Sequence, residues 1–379
     1  DLLTVTRAST KMVQGPNGFL REVPANTIAR EWKDGKCQGV LLEEQRTNLL
    51  KYSEAFDNSD WYKQNVTVNA DAVIAPVGNT TAEKIVEDSS YNLHTLKQNY
   101  AYSDGLVYTL SFFAKAAEHS KVGIKIQDKQ VFFDLSNETV NEVGTVDSSG
   151  IEVFPNGWYR CYAVATFDSA NNLNNNDIGP AINTSFDGFV YAGDGTSGIY
   201  VWGAQLEEGS HFTSYIPTTT SQVTRSADYV SRTLGSEFNE REGTLFVDVL
   251  EEKATGKNFP SVAEMADSSG DNKISIYYNP SNFKQSIRIS YEGNIQISAV
   301  GMLEYPPLKL ALSWKNNGYS YIVIGGSTIK SVSNIMSPVG ITDLSIGTGR
   351  GDQQGNVMTK NIEYYPYALS ESDLQELTK

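Results

Sequence analysis

Apolar and polar positions alternate along most of the chain. In VYTLSFFAKA, Tyr108, Leu110, Phe112 and Ala114 share one face, and Thr109, Ser111, Phe113 and Lys115 share the other. Successive side chains of a strand point to opposite faces, so the pattern marks a strand that buries one side. GWYRCYAVATF repeats it, with Tyr159, Cys161, Ala163, Ala165 and Phe167 on one face and Trp158, Arg160, Tyr162, Val164 and Thr166 on the other. KVGIKIQ and QVFFDL continue the series, and IYVWGAQLE follows a tight turn, GDGTSG, at Gly193–Gly198. NNLNNND, Asn171–Asp177, reads as a polar loop. Strands at intervals of about ten residues, almost without helical period, predict a sandwich over residues 46–230.

Residues 1–45 read as a β-rich attachment segment, with turn signals at Gly15–Gly18 and Lys33–Lys36. VTRAS at Val5–Ser9 is echoed by VTRSA at Val223–Ala227. The echo is either coincidence or two strand pieces placed side by side at a domain seam. The polar run 231–242 reads as a linker. A second β-set spans 243–379, where KNNGYS marks a hairpin turn. The chain closes on a short helix, with Ser370 and Asp373 at its start and Leu374 and Leu377 on its apolar face. The expected class is all-β: two antiparallel sandwiches in series, then one short C-terminal helix.

Composition narrows the function classes. The 30 basic residues stand against 45 acidic ones, a net charge of −15, so no basic surface for nucleic acid is expected. Two distant cysteines, Cys37 and Cys161, exclude a disulfide framework and suit folding in a reducing compartment. No apolar run is long enough to span a membrane. The opening DLLTVTRAST lacks the apolar core of a signal peptide, and a chain that begins with Asp suggests that upstream sequence is missing.

Longer stretches carry a resemblance. GVLLEEQRTNLLKYSEAFDNSDWYKQNVTV resembles the segment that opens a β-sandwich found in many bacteriophage tail-fibre, tailspike and related virion proteins. FFAKA, GWYRCYAVATF and VWGAQLEEGSHFTSYIPTTTSQVTRSAD resemble later blocks of that unit, in the same order, over about residues 40–230. The last block is then the closing strand and exit arm. Tyr215 and Pro217 would anchor it, with Arg225 and Asp228 available to pin it. The resemblance extends to jelly-roll carbohydrate-binding modules, whose concave sheet or edge loop receives the sugar. Those modules often hold a structural calcium through an Asp in the last strand. Trp202 stands at the comparable position, so calcium is not supported there, and no other cofactor is implied. Residues 243–379 more loosely resemble a concanavalin-like (laminin G-like) sandwich, most clearly in NIEYYPYALSESDLQELTK.

Catalytic signals are thin. Concanavalin-like hydrolases carry E-x-D-x-x-E on one strand, because retaining hydrolysis needs two carboxyl groups about 5 Å apart. Here FVDVLE offers Asp248 and Glu251 with Phe246 in the nucleophile position. His94, His119 and His211 lie in no nucleophile motif and read as surface or loop residues. No metal site is expected, and DSSGDNK, Asp267–Lys273, and the Asp194 turn read as solvated loops.

Sugar binding needs aromatic platforms beside hydrogen-bonding side chains. Trp61, Tyr62, Tyr91, Tyr100, Tyr102, Tyr191 and Trp202 supply rings, and Lys115, Arg160 and Gln205 are polar residues inside strand patterns. The set put forward for glycan contact is Tyr91, Tyr100, Tyr102, Lys115, Arg160, Tyr191, Trp202 and Gln205. Each ring is singly as consistent with core packing. The resemblance implies a non-enzymatic virion protein at a phage surface, assembled in the host cytoplasm. It would be homotrimeric, with host-surface glycans and other virion proteins as partners. A spacer or assembly role, accessory domains of a glycan depolymerase, and a bacterial surface adhesin are the alternatives.

Overall fold

A computed structural model describes residues 3–168, 174–253, 261–279, 284–300, 308–348 and 355–379. The fold is all-β with one short C-terminal helix. The chain forms two compact units, and their boundaries interleave. One comprises Lys11–Glu22 and Arg46–Arg225; the other comprises Asp1–Thr10, Val23–Gln45 and Ser226–Lys379.

The unit containing 46–225 is a sandwich of two antiparallel six-stranded sheets among the described residues. One, called the open sheet below, has the order Thr139–Val143, Lys129–Asp134, Lys121–Ile126, Asn175–Ala181, Thr95–Asn99, Tyr62–Gln64. The covered sheet has the order Ser148–Phe154, Trp158–Thr166, Val107–Ala116, Gly198–Glu208, Thr80–Glu87, Val66–Ile74. Leu96, Ile124, Val131 and Ile178 meet Leu110, Phe112, Cys161 and Ala163 in the core between them. The alternation read from the sequence thus assigns the inner faces correctly.

The covered sheet carries large apolar side chains on its outer face as well, and one strand there breaks the alternation. Opposite Ser111 and Phe113 the register shifts, pairing Ser111 with Gln205 and Phe113 with Trp202. The extra residue lies at Gly203, where φ is 64° and a Cβ would come within 3.2 Å of Phe113 and Tyr215. Trp202 and Gln205 therefore face the same way. Trp202 joins Phe113, Trp158, Tyr215, Met12 and Leu20 in a second core outside the sheet. The exit arm and the hairpin Lys11–Gln14/Leu20–Val23 contribute to that layer.

In the other unit, two antiparallel sheets, each of seven strands among the described residues, stack. Leu245, Val247, Leu310, Leu312 and Trp314 from one pack on Met265, Ile274, Ile287 and Leu344 from the other. The expected attachment segment is not a separate piece. Arg30–Lys33 and Lys36–Leu42 extend the sheet beyond Asn356–Tyr365, and Thr4–Thr6 pairs with Tyr229–Thr233. The two echoed pieces do not pair with each other: Thr4–Thr6 pairs with Tyr229–Ser231 and Val223–Arg225 with Arg46–Asn48, while Ser226 N donates to Ser9 Oγ at 2.8 Å. Arg7 Nη1 donates to Asp228 Oδ1 at 2.6 Å, both side chains buried.

The run 231–242 is folded, not a free linker. It begins in a strand, Leu234 N donates to Thr342 O, and Phe238 stacks on Trp314 and Tyr364 at 6.1 and 5.8 Å. Its two large apolar residues supply the driving force. The helix Glu371–Leu377 starts as expected, with Ser370 accepting from Asp373 N. Leu374 seals against Phe246, Ala311 and Val323.

Candidate functional site

The outer face of the open sheet carries a polar row. Leu96, Ile124, Val131 and Ile178 face the core, so their strand neighbours Lys97, Lys125, Gln130 and Asp177 face outward. Register aligns them: Tyr62 lies opposite Lys97, Lys97 opposite Asp177, Asp177 opposite Lys125, and Lys125 opposite Gln130. At about 4.8 Å per strand the row runs roughly 19 Å from Tyr62 to Gln130.

Its ends differ. Tyr62 is 63% exposed. Beside it lies an open groove of about 460 Å³ lined by Lys51, Asp60, Tyr62, Lys97, Gln98 and Asn99. Gln98 fixes the floor by accepting from Lys51 N at 2.8 Å and donating to Lys51 O at 3.0 Å. One register step along the strands, Gly123 leaves room that the rings of Phe132 and Phe189 close, 4.8 Å apart.

Asp177, mid-row, is only 2% exposed, and its Oδ1 has no hydrogen-bond partner among the described residues. Burial pushes its carboxyl up to about 6, against the pull of Lys125 and Lys97. The arrangement can stack a ring on Tyr62 and offer two ammonium groups along the row.

Most of the residues put forward from the sequence lie elsewhere. Arg160, Trp202 and Gln205 are buried on the covered sheet and hold the exit arm. Gln205 accepts from Ile216 N at 2.6 Å and donates to Thr213 O and Ser214 O, both at 3.4 Å. Arg160 lies over the Phe212 and Phe113 rings, at 4.1 and 5.3 Å, and donates to Ser111 Oγ. Trp202 packs 4.6 Å from Tyr215. All three are therefore corrected from sugar contacts to structural residues.

Tyr191 is buried too. Its hydroxyl donates to Glu87 at 2.6 Å, and desolvation pushes its pKa up. Tyr100 and Tyr102 join Tyr108 edge to face against the first core, at 5.9 and 4.8 Å, and Tyr102 bonds Asn176. Lys115 donates to Asn156 O at 2.9 Å. Tyr91 is 77% exposed on a separate two-stranded ribbon, Tyr91–Leu93 with Val190–Ala192, and does not line the groove beside Tyr62. Trp61 is buried beside Phe56.

Of the aromatics read from the sequence, Tyr62 is the one in the groove. Lys97, Asp177 and Lys125 were not singled out. They lie on separate strands, and only the register brings the three together.

The other chemical groups fall into place as structure. His94 is fully buried, with its ring nitrogens 2.8 and 3.1 Å from the carbonyls of Asn65 and Tyr191; it is not a surface residue. His119 Nε2 lies 2.6 Å from Glu87. Asp194 accepts from Thr196 and Ser197, and these bonds hold its carboxyl below the usual range. Asp267 closes its hairpin by accepting from Ser269, Gly270 and Asn272. Phe246 packs under the C-terminal helix, Asp248 is buried, and the Glu251 side chain and residues 171–173 lie outside the described residues. Among the described residues, no group of three His, Cys, Asp or Glu could hold a metal.

No family model matches the chain, and no curated protein matches it significantly. Several solved structures are similar at low identity. Domain 4 of AbnA, a GH43 extracellular arabinanase from Geobacillus stearothermophilus in complex with arabinotriose, is 14% identical with a TM-score of 0.32, over 45% of this chain and 84% of that chain. Domains LG4-5 of the mouse laminin alpha1 chain are 10% identical with a TM-score of 0.26, over 74% and 90%. Trypanosoma rangeli sialidase in complex with the inhibitor DANA is 11% identical with a TM-score of 0.33, over 78% and 60%. None of these likenesses assigns a ligand or an activity to this chain.

Proposed function

We propose that the chain is a non-enzymatic surface protein of a tailed-phage virion, and that its first sandwich touches host-surface glycans through the open sheet. The observation that carries the glycan reading is the groove beside Tyr62, where an exposed ring stands next to Lys97 and Asn99 on a fixed floor. Such a pairing of ring and hydrogen-bonding groups suits a sugar with an apolar C–H face and a polar rim. The ordered resemblance of residues 40–230 to tail-fibre and tailspike sandwiches supports the virion setting. Phe246 supports the non-enzymatic reading, since it fills the position a nucleophilic carboxylate would need and packs beneath a helix.

One stacked ring contributes on the order of 1 kcal/mol. Useful attachment then needs repetition, which a homotrimer displayed in many copies supplies through effective concentration. The test is a glycan array probed with the full chain and with Tyr62→Ala. Tyr62 is exposed, so the variant should melt like the parent. Retention of a glycan, weakened roughly five- to tenfold by Tyr62→Ala, is the expected result. If the parent retains no glycan, or the variant binds equally, the reading fails and the sandwiches are better read as spacers.

A further inference from the structure

Resting on that reading, we infer that the open face selects an acidic saccharide, with Lys97 and Lys125 meeting its acid groups and Tyr62 stacking on a ring at one end. The other lysines of this region are engaged. Lys121 pairs with Asp134 at 3.5 Å, Lys51 with Asp60 at 3.7 Å, Lys63 donates to the Asp57 and Asn58 carbonyls, and Lys129 donates to Gln127 and Thr166. The Lys97 and Lys125 side chains make no hydrogen bond or ion pair among the described residues, and their shared charged neighbour is Asp177. They flank Asp177 on either side, which puts their backbones about 10 Å apart across two strand spacings.

One buried carboxylate faces two cations, so the row keeps a single net positive charge. Asp177 is itself too enclosed to contact a ligand. A neutral saccharide laid on this face would strip water from both ammonium groups and return no opposite charge. A saccharide bearing carboxylates returns it. The net charge of the whole chain is −15, so a polyanion is repelled elsewhere and gains at this row, which favours one placement over many.

The experiment is titration calorimetry on the full chain at low and high salt with three probes: an oligogalacturonate, the neutral maltoheptaose, and polyglutamate, an acidic polymer without rings. The oligogalacturonate should bind most tightly and weaken with salt. Lys97→Gln and Lys125→Gln should each weaken it roughly three- to tenfold and flatten the salt dependence, with the chain still folded because Asp177 keeps the other lysine. Tyr62→Ala should weaken the oligogalacturonate and leave any polyglutamate binding as it was. Equal binding of maltoheptaose would overturn the acidic preference while the glycan face stands. Equal binding of polyglutamate would overturn the saccharide class. Binding of no probe would overturn the inference, and the glycan array then decides whether the reading beneath it stands.

Discussion

Removing one oxygen from the exit arm, by Tyr215→Phe, should destabilise the first sandwich by about 2 kcal/mol. Tyr215 is buried, and its hydroxyl lies 2.6 Å from Ser53 Oγ and 3.0 Å from Glu54 Oε1. It can accept from the serine while donating to the carboxylate. Burial raises the Glu54 carboxyl, and the bond from Tyr215 draws it back down. A hydrogen bond to a charged group contributes roughly 1.5–3 kcal/mol, and Ser53 keeps contacts with Thr218, which sets the figure near the middle. For a domain of this size that is a fall of about 4–8 °C in the first calorimetric transition. Tyr215→Ala also empties the space beside Trp202 and Phe113 and should cost about 3–5 kcal/mol. Urea unfolding, followed by tryptophan fluorescence, gives the free energies, and Trp202 sits 4.6 Å from the altered ring. Repeating Tyr215→Phe on a Glu54→Gln background isolates the pair. A loss below about 0.5 kcal/mol, or one undiminished on that background, would refute the reasoning.

Three further outcomes are expected. Asp228→Asn leaves Arg7 buried without its counter-charge and should destabilise the second sandwich by roughly 3–5 kcal/mol in urea unfolding; a loss under about 1 kcal/mol would argue against it. Glu83 is raised to about 7, first by burial and then by Asp57, so the folded state holds its proton more tightly than the unfolded chain. Its contribution therefore falls as pH rises from about 4.5 to about 7 and is level above that. The first transition should melt higher at pH 5 than at pH 7.5, and Glu83→Gln should reduce that slope. Limited proteolysis should spare 231–242, where Phe238 is stacked and Asn239 N donates to the Tyr364 hydroxyl; early cleavage there would show that this packing is weak.

The period-two pattern made the strands legible, including the inner face of Val107–Ala116 residue by residue. Even the second core left a trace, since Phe113 stands among polar neighbours on what should be a solvent face. The bulge at Gly203 left none, because one inserted residue shifts the following part of the strand without altering its composition. That shift is why Trp202 and Gln205 looked like ligands. They are polar or aromatic residues in a strand, and only the arm laid over them explains their presence. The interleaving of the units was hidden for another reason. Glu44 N bonds the Asn356 side chain across 312 residues, and local pattern says nothing about such partners. The polar row needed the same missing knowledge, since Lys97, Asp177 and Lys125 meet only through register.

The pairing of Lys36–Leu42 with Asn356–Tyr365 also sets an order of events during synthesis. A ribosome adds about 5–20 residues per second, so roughly 15–60 s separate the emergence of Glu44 from that of Asn356. The first sandwich draws its last strand from Val223–Arg225 and can close within that interval. Arg30–Leu42 cannot, because the edge that receives it has not yet been made. For that time the nascent chain carries Trp32, Cys37 and a row of unpaired backbone groups, a template for pairing with neighbouring chains on the same message. Lys33, Asp34 and Lys36, at the tip of this hairpin, place charge where such pairing would start.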